Sequence, residues 1–147
     1  MSDAAGPRNE TYNQAVGGAA LMVGDLLATQ ITNAPTPERT DKVFILIGTN
    51  DSNVTDAFRA EYETQVNRLK VKYPNATIYC MGILERWSGD TTRRNTQNPM
   101  IATAASNTGQ VYINTDGWIT QADTYDNLHP NEAGYIKIAD NLASYAL

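Results

Sequence analysis

Six residues near the middle of the sequence, Lys42-Val-Phe-Ile-Leu-Ile47, restrict the fold more than any other stretch. Every side chain after the lysine is apolar, and the run stops at Gly48. A strand with one face in water alternates apolar and polar residues. An unbroken apolar run suits a strand covered on both faces, hence a central strand of a parallel sheet. Parallel strands need long crossover connections, and the next segment supplies one. Over 55–73, Phe58, Tyr62, Val66, Leu69 and Tyr73 recur at helical spacing, with Pro74-Asn75 as the stop. Residues 76–83 then form a second apolar strand. Strands alternating with helices of this length predict a layered α/β domain.

The rest of the chain extends the same pattern. Residues 1–10 are polar, contain Gly6-Pro7, and read as an N-terminal loop, disordered or irregular, ahead of one domain over 11–147. Residues 11–16 suit a short strand ending at Gly17-Gly18. Leu21, Met22, Val23, Leu26, Leu27 and Ile31 predict a helix over 19–32, weakened by Gly24. Residues 33–40, with Pro35 and Pro37, form a connector. Residues 84–97 read as a long polar loop holding Trp87 and Arg93-Arg94-Asn95. Asn98-Pro99 opens a third helix, which carries Ile101, Ala104 and Ala105 and ends near Gly109. A strand over 111–113, a loop over 119–127 and a final helix over 131–146 complete the order. In that helix Ile136, Ala139, Leu142, Ala143 and Ala146 form the expected inward stripe.

Length and charge narrow the function. A chain of 147 residues suits a single domain with a real core. A net charge of -5, with no basic cluster beyond Arg93-Arg94, argues against nucleic acid or an anionic membrane as the main partner. The one cysteine, Cys80, permits no internal disulfide and sits in an apolar run, as a buried thiol would. The one histidine, His129, has no second imidazole or Glu-x-x-His partner, so no metal or cofactor is expected. No apolar run reaches membrane-spanning length. The N-terminus lacks the regions of a signal peptide; secretion stays open if the natural chain starts further upstream, and the compartment is unassigned.

In a parallel α/β sheet, chemistry gathers on loops beyond the C-terminal ends of the strands. Three stretches qualify. Asn50, in Gly48-Thr49-Asn50-Asp51, offers a neutral amide able to hydrogen-bond a developing oxyanion, with Asp51 as cap or brace. Taken alone, the stretch reads first as a turn. Gly18 offers a backbone N–H near a helix start, or a plain tight turn. Asp126 and His129, three positions apart before a helix, suit a carboxylate and the base it orients; a loop histidine and a capping acid are the plainer reading. Trp87, Arg93 and Arg94 either rim a cleft or lie solvated in a loop.

Together the blocks carry a resemblance. Residues 43–51 (Val-Phe-Ile-Leu-Ile-Gly-Thr-Asn-Asp) and 126–139 (Asp-Asn-Leu-His-Pro-Asn-Glu-Ala-Gly-Tyr-Ile-Lys-Ile-Ala) resemble the G-x-N-D and D-x-x-H-P blocks of the SGNH (GDSL-type) hydrolases. Residues 13–18 resemble that family's glycine block. The resemblance implies a flavodoxin-like three-layer α/β/α domain that hydrolyses small-molecule or carbohydrate esters through a Ser-His-Asp triad. In it His129 is the general base, Asp126 its orienting partner, and Asn50 and the Gly18 N–H oxyanion donors. The alternative is an inactive member of the family whose rim binds glycans or a protein.

One block is absent. The family's nucleophile stands in Gly-Asp-Ser at the end of its first strand, and this sequence has no Gly-Asp-Ser. Its serines are Ser2, Ser52, Ser88, Ser106 and Ser144. Ser2, followed by Asp3, is the one serine upstream of Gly18 and the weak candidate nucleophile, but it stands too close to Gly18 for the intervening helix and strand. The expected fold therefore lacks its first strand, as an N-terminally truncated chain would. In the family that strand lies between the second and third. Its loss calls for residues 11–16 to pair with 42–47, or for another chain to fill the gap, because each unpaired buried backbone group costs roughly 1–3 kcal/mol.

Overall fold

The computed structural model describes residues 11–36, 40–52 and 55–146. The expected N-terminal loop over 1–10, with Ser2, lies outside the described residues. The elements run α1 (Leu26–Asn33), β1 (Lys42–Ile45), α2 (Asp56–Lys72), β2 (Thr77–Met81), α3 (Arg93–Thr108), β3 (Val111–Ile113), a short 3₁₀ turn (Gln121–Asp123) and α4 (Glu132–Ala146). The strands form one parallel sheet in the order β1-β2-β3. This is the expected α/β class, a parallel sheet flanked by helices.

The sheet's two faces differ. On one, Ile45, Ile78 and Cys80 pack with Phe58, Tyr62 and Val66 of α2 and with Ile101, Ala104 and Ala105 of α3. Burial of each large apolar side chain there stabilises the domain by about 1.5–3 kcal/mol. The inward stripe expected of α2 is buried in full, and Cys80 is a buried free thiol. Gly109 ends α3 in the left-handed region at φ 69°, where a glycine carries no Cβ penalty.

The opposite face departs from expectation. Its row runs Phe44, Tyr79, Val111, with the first two rings stacked at 4.8 Å. Phe44 is 38% exposed and Leu46 45% exposed, so the central apolar run is covered on one face only. The outer edge of β1 is open as well: Thr77 N–H donates to the Asp41 carbonyl, so the peptide groups of Val43 and Ile45 point to β2 and those of Phe44 and Leu46 point away from it. No strand pairs with that edge among the described residues.

Residues 11–16 do not move over to fill it. They are irregular and exposed, not a strand, since Thr-Tyr-Asn-Gln has no apolar face to bury. The helix expected over 19–32 is also shorter. Gly24 takes φ +61°, and the carboxylate of Asp51 draws off the Leu21 and Met22 N–H groups, so helix begins only at Leu26. The third helix starts earlier than expected, at Arg93, and runs through Pro99. Arg93, Arg94 and Asn95 are therefore helical, not loop.

Most of the inward stripe expected of α4 is exposed: Ile136 is 54% exposed, Leu142 is half-buried, and Gly134 is the one fully buried residue of that helix. With the sheet face open beside β1, α4 has little to bury against. It is anchored by polar contacts, Lys137 Nζ to Asp123 Oδ2 at 2.7 Å and the Tyr145 carbonyl to Lys42 Nζ at 2.9 Å, and by the Tyr145 ring edge-on to Tyr79. Gly134 lets the helix approach closely, because a Cβ there would overlap the Asp123 carbonyl oxygen.

Candidate active site

The loop before α4 presents Asp126 and His129. Its shape comes from backbone bonds: Tyr125 N–H donates to the His129 carbonyl at 2.9 Å, Thr124 bridges Pro130, and Asn127 takes φ 65°, which asparagine tolerates better than most residues. This tight loop brings the two side chains together. His129 Nδ1 lies 2.7 Å from Asp126 Oδ2, while Asp126 Oδ1 accepts the backbone N–H of His129 at 2.7 Å and of Leu128 at 3.1 Å. These bonds, first the His129 N–H and then its ring, hold the Asp126 carboxyl down at about 2. The carboxylate is thus ionised wherever an imidazole can act as a base. With Nδ1 engaged, Nε2 carries the free lone pair. The pair is open to solvent, with His129 69% exposed and Asp126 53% exposed.

The other two stretches meet each other. Gly48, at φ +123°, turns the chain after β1; a side chain there would press on Phe58 and Ile83. Asp51 N–H closes the turn on the Gly48 carbonyl at 3.0 Å. Asp51 itself is buried, and its carboxylate accepts Leu21 N–H at 2.8 Å and Met22 N–H at 2.7 Å. Asn50 Nδ2 donates to the Ala19 carbonyl at 2.9 Å. Asn50 and Asp51 therefore clamp the segment that follows Gly18 onto the end of β1. One hydrogen of the Asn50 amide is used in that clamp, and the other is left to donate. Gly18, at φ +76°, is exposed, but α1 begins at Leu26, so its N–H does not belong to a helix terminus as expected.

Gln97 and Arg86, which sequence reasoning passed over, support this rim together with Asn98, Arg93 and Trp87. Gln97 is fully buried and donates to the Gly48 carbonyl at 2.7 Å. Asn98 brackets Ile83 through its backbone N–H at 2.8 Å and carbonyl at 3.3 Å. Gln97 falls in register with Ile101, Ala104 and Thr108 on the buried side of α3; extending that spacing backwards would have found it. Arg93 Nη1 and Arg86 Nη1 both point at the Thr49 carbonyl, at 3.0 and 3.5 Å. Trp87 N–H donates to the Asn127 carbonyl at 2.7 Å, tying the loop after β2 to the histidine loop. Arg94 instead pairs with Glu85 and Asp116, away from Thr49.

No serine among the described residues hydrogen-bonds His129. Ser52 is exposed just after the Asn50 turn, Ser106 lies on α3, and Ser144 Oγ donates to the Asn141 carbonyl in α4. Ser88 Oγ turns toward the Asn127 carbonyl at 3.4 Å. Ser2 lies outside the described residues. No group of three or more His, Cys, Asp or Glu suited to a metal occurs among the described residues, and no helix there is long and apolar enough to cross a membrane.

A parallel α/β layer that presents a carboxylate-held imidazole on a loop carries a group able to transfer a proton. The sequence agrees at the level of family: the profile of the GDSL-like Lipase/Acylhydrolase family matches residues 2–136, and the chain belongs to that family. No curated protein matches it in sequence. Among solved structures it resembles a Streptococcus pneumonia protein provisionally described as a platelet activating factor, at TM-score 0.76 and 24% identity over 88% of this chain and 69% of that one. It also resembles an extracellular lipase from Streptomyces rimosus, at TM-score 0.50 and 19% identity over 84% of this chain and 76% of that one. At these identities the likeness establishes the fold.

Proposed function

We propose that this domain is the larger part of an esterase that cleaves carboxylic esters through a Ser-His-Asp triad. His129 Nε2 removes the proton from a serine hydroxyl as that oxygen attacks the ester carbonyl. Asp126 holds the ring by Nδ1 and stabilises the imidazolium that forms. The Asn50 amide and the Gly18 N–H donate to the tetrahedral oxyanion, and water then releases the acyl group. Small acyl groups on a carbohydrate are the substrate class that family analogy favours. The observation that carries the reading is the 2.7 Å bond between His129 Nδ1 and Asp126 Oδ2, with Nε2 left open.

The nucleophile is the part this reading assigns elsewhere. In it, a strand carrying the serine pairs with the outer edge of β1, its following segment packs over Phe44 and Leu46, and its hydroxyl reaches the exposed His129. Support comes from the uncovered sheet edge and from the dyad's openness to solvent. The test is hydrolysis of p-nitrophenyl acetate by this chain and by a chain extended through its upstream reading frame, each with and without His129→Ala. The extended chain should turn over the ester and lose that activity with His129. Should it be as inert as His129→Ala, the hydrolase reading fails and the rim is a binding surface for glycans or a protein.

A further inference from the structure

The loop after β2 builds a second feature beside the candidate active site. Two guanidinium groups, Arg86 and Arg93, converge on one acceptor, the Thr49 carbonyl, one residue from Asn50. Arg86 is fixed in place: its Nε donates to the Ser88 carbonyl at 2.7 Å, and a side chain at Gly89 would strike its Nη2. Arg93 opens α3, a helix with no acidic residue in its first turn. The helix dipole there adds positive potential to a spot already holding two cations.

The counter-charge is thin. Asp90 stands 3.8 Å from Arg93 Nε, too far for a hydrogen bond, is 52% exposed, and commits its other oxygen to Thr92 N–H and Oγ1. Arg86 makes no ion pair among the described residues, and the Nη2 groups of Arg86 and Arg93 donate to nothing there. Two cations around a neutral carbonyl, with the one half-exposed carboxylate of Asp90 beside them, leave a net positive spot, and a guanidinium fork suits planar or tetrahedral anionic oxygen groups. That such a spot persists in a chain of net charge -5 makes it a local feature, not a consequence of composition.

We propose that Arg86 and Arg93 form a subsite for an anionic oxygen group, a carboxylate or phosphate, carried by the molecule that the rim accepts. The subsite lies between the Asn50 turn and the histidine loop, because Arg86 adjoins Trp87, whose N–H binds Asn127. If the hydrolase reading holds, the group sits on the ester substrate, and the enzyme prefers acidic esters over neutral ones. Arg86 and Arg93 are then specificity residues, and Arg94, committed to Glu85 and Asp116, is not.

The test needs no turnover. The backbone amide of Trp87, next in sequence to Arg86 and held on the Asn127 carbonyl, gives a ¹H–¹⁵N resonance that reports on this spot. Titration with monomethyl succinate or with inorganic phosphate should shift the Trp87 resonance saturably, while neutral dimethyl succinate should not. The stronger of the two charged probes distinguishes carboxylate from phosphate. Arg86→Gln and Arg93→Gln should each weaken binding about tenfold, and Arg68→Gln, on the exposed side of α2, should leave it unchanged. The proposal is overturned if the neutral diester acts equally, if neither anion saturates, or if Arg68→Gln weakens binding as much. Where an arginine variant does not fold, the charged-against-neutral comparison on the unaltered chain decides. A failed titration leaves the hydrolase reading standing, and an inert extended chain leaves the titration standing.

Discussion

Replacing Asp51 with alanine removes the acceptor for two backbone N–H groups, those of Leu21 and Met22, at 2.8 and 2.7 Å. Leu21 is buried and Met22 lies at the surface, so the first N–H is stranded and the second recovers part of its loss in water. A stranded buried donor costs about 1–3 kcal/mol, and a hydrogen bond to a charged group is worth about 1.5–3 kcal/mol. The two together predict a loss of about 2–5 kcal/mol. For a domain of this size that is about 6–20 °C in Tm. Urea unfolding followed by far-UV circular dichroism measures it. Asp51→Asn keeps one acceptor oxygen and should fall roughly midway. Asn50→Ala, its neighbour, breaks one exposed bond to Ala19 and should cost no more than about 1 kcal/mol. In a hydrolysis-competent chain that same Asn50→Ala should lower kcat by about 10²–10³. A stability change at Asp51→Ala below about 0.5 kcal/mol would refute the clamp and with it the reason that Gly18 and Asn50 share one rim.

Gly134→Ala should destabilise the domain by about 1–3 kcal/mol, because the new methyl meets the Asp123 carbonyl oxygen; an unchanged Tm by calorimetry would mean that α4 shifts freely. Asp123 and Asp126 both titrate at about 2, held there chiefly by Lys137 and by the His129 N–H respectively. Carboxyls depressed in this way contribute stability that is present above about 4, the unfolded value, and is lost as pH falls through about 2. Lys137→Met should therefore raise the Asp123 midpoint toward the ordinary carboxylate range and move acid unfolding to higher pH. Carbon-detected titration of the side chain checks this, and an unmoved midpoint would remove Lys137 as the cause. Asp126→Asn should leave the fold intact but lower ester turnover in an active chain by about 10³–10⁴-fold; equal activity would separate Asp126 from the chemistry.

Much of this domain was legible in its sequence. The apolar runs at 42–47 and 76–83 and the helical stripe of Phe58, Tyr62, Val66 and Leu69 specify two parallel strands and the helix between them, because alternation and spacing are local properties of the chain. The spacing of Asp126 and His129 allowed their pairing but left a loop histidine and a capping acid as the plainer reading; the fold of the loop brings the two side chains together. Tertiary structure decided the rest. The segment over 19–25 carries apolar residues at helical spacing, yet its conformation follows a buried carboxylate about thirty residues away in sequence, which takes the Leu21 and Met22 N–H groups. The apolar stripe of α4 is in the sequence, but whether it is buried depends on a neighbour at the β1 edge that no local pattern can supply. Likewise, only the packing of α3 and of the loop after β2 against the turn that follows β1 brings Gln97, Arg93 and Arg86 to the same turn as Asn50. Periodicity and turn chemistry act within a few residues. Burial, and the convergence of polar groups on one atom, are settled between elements that are distant in the chain.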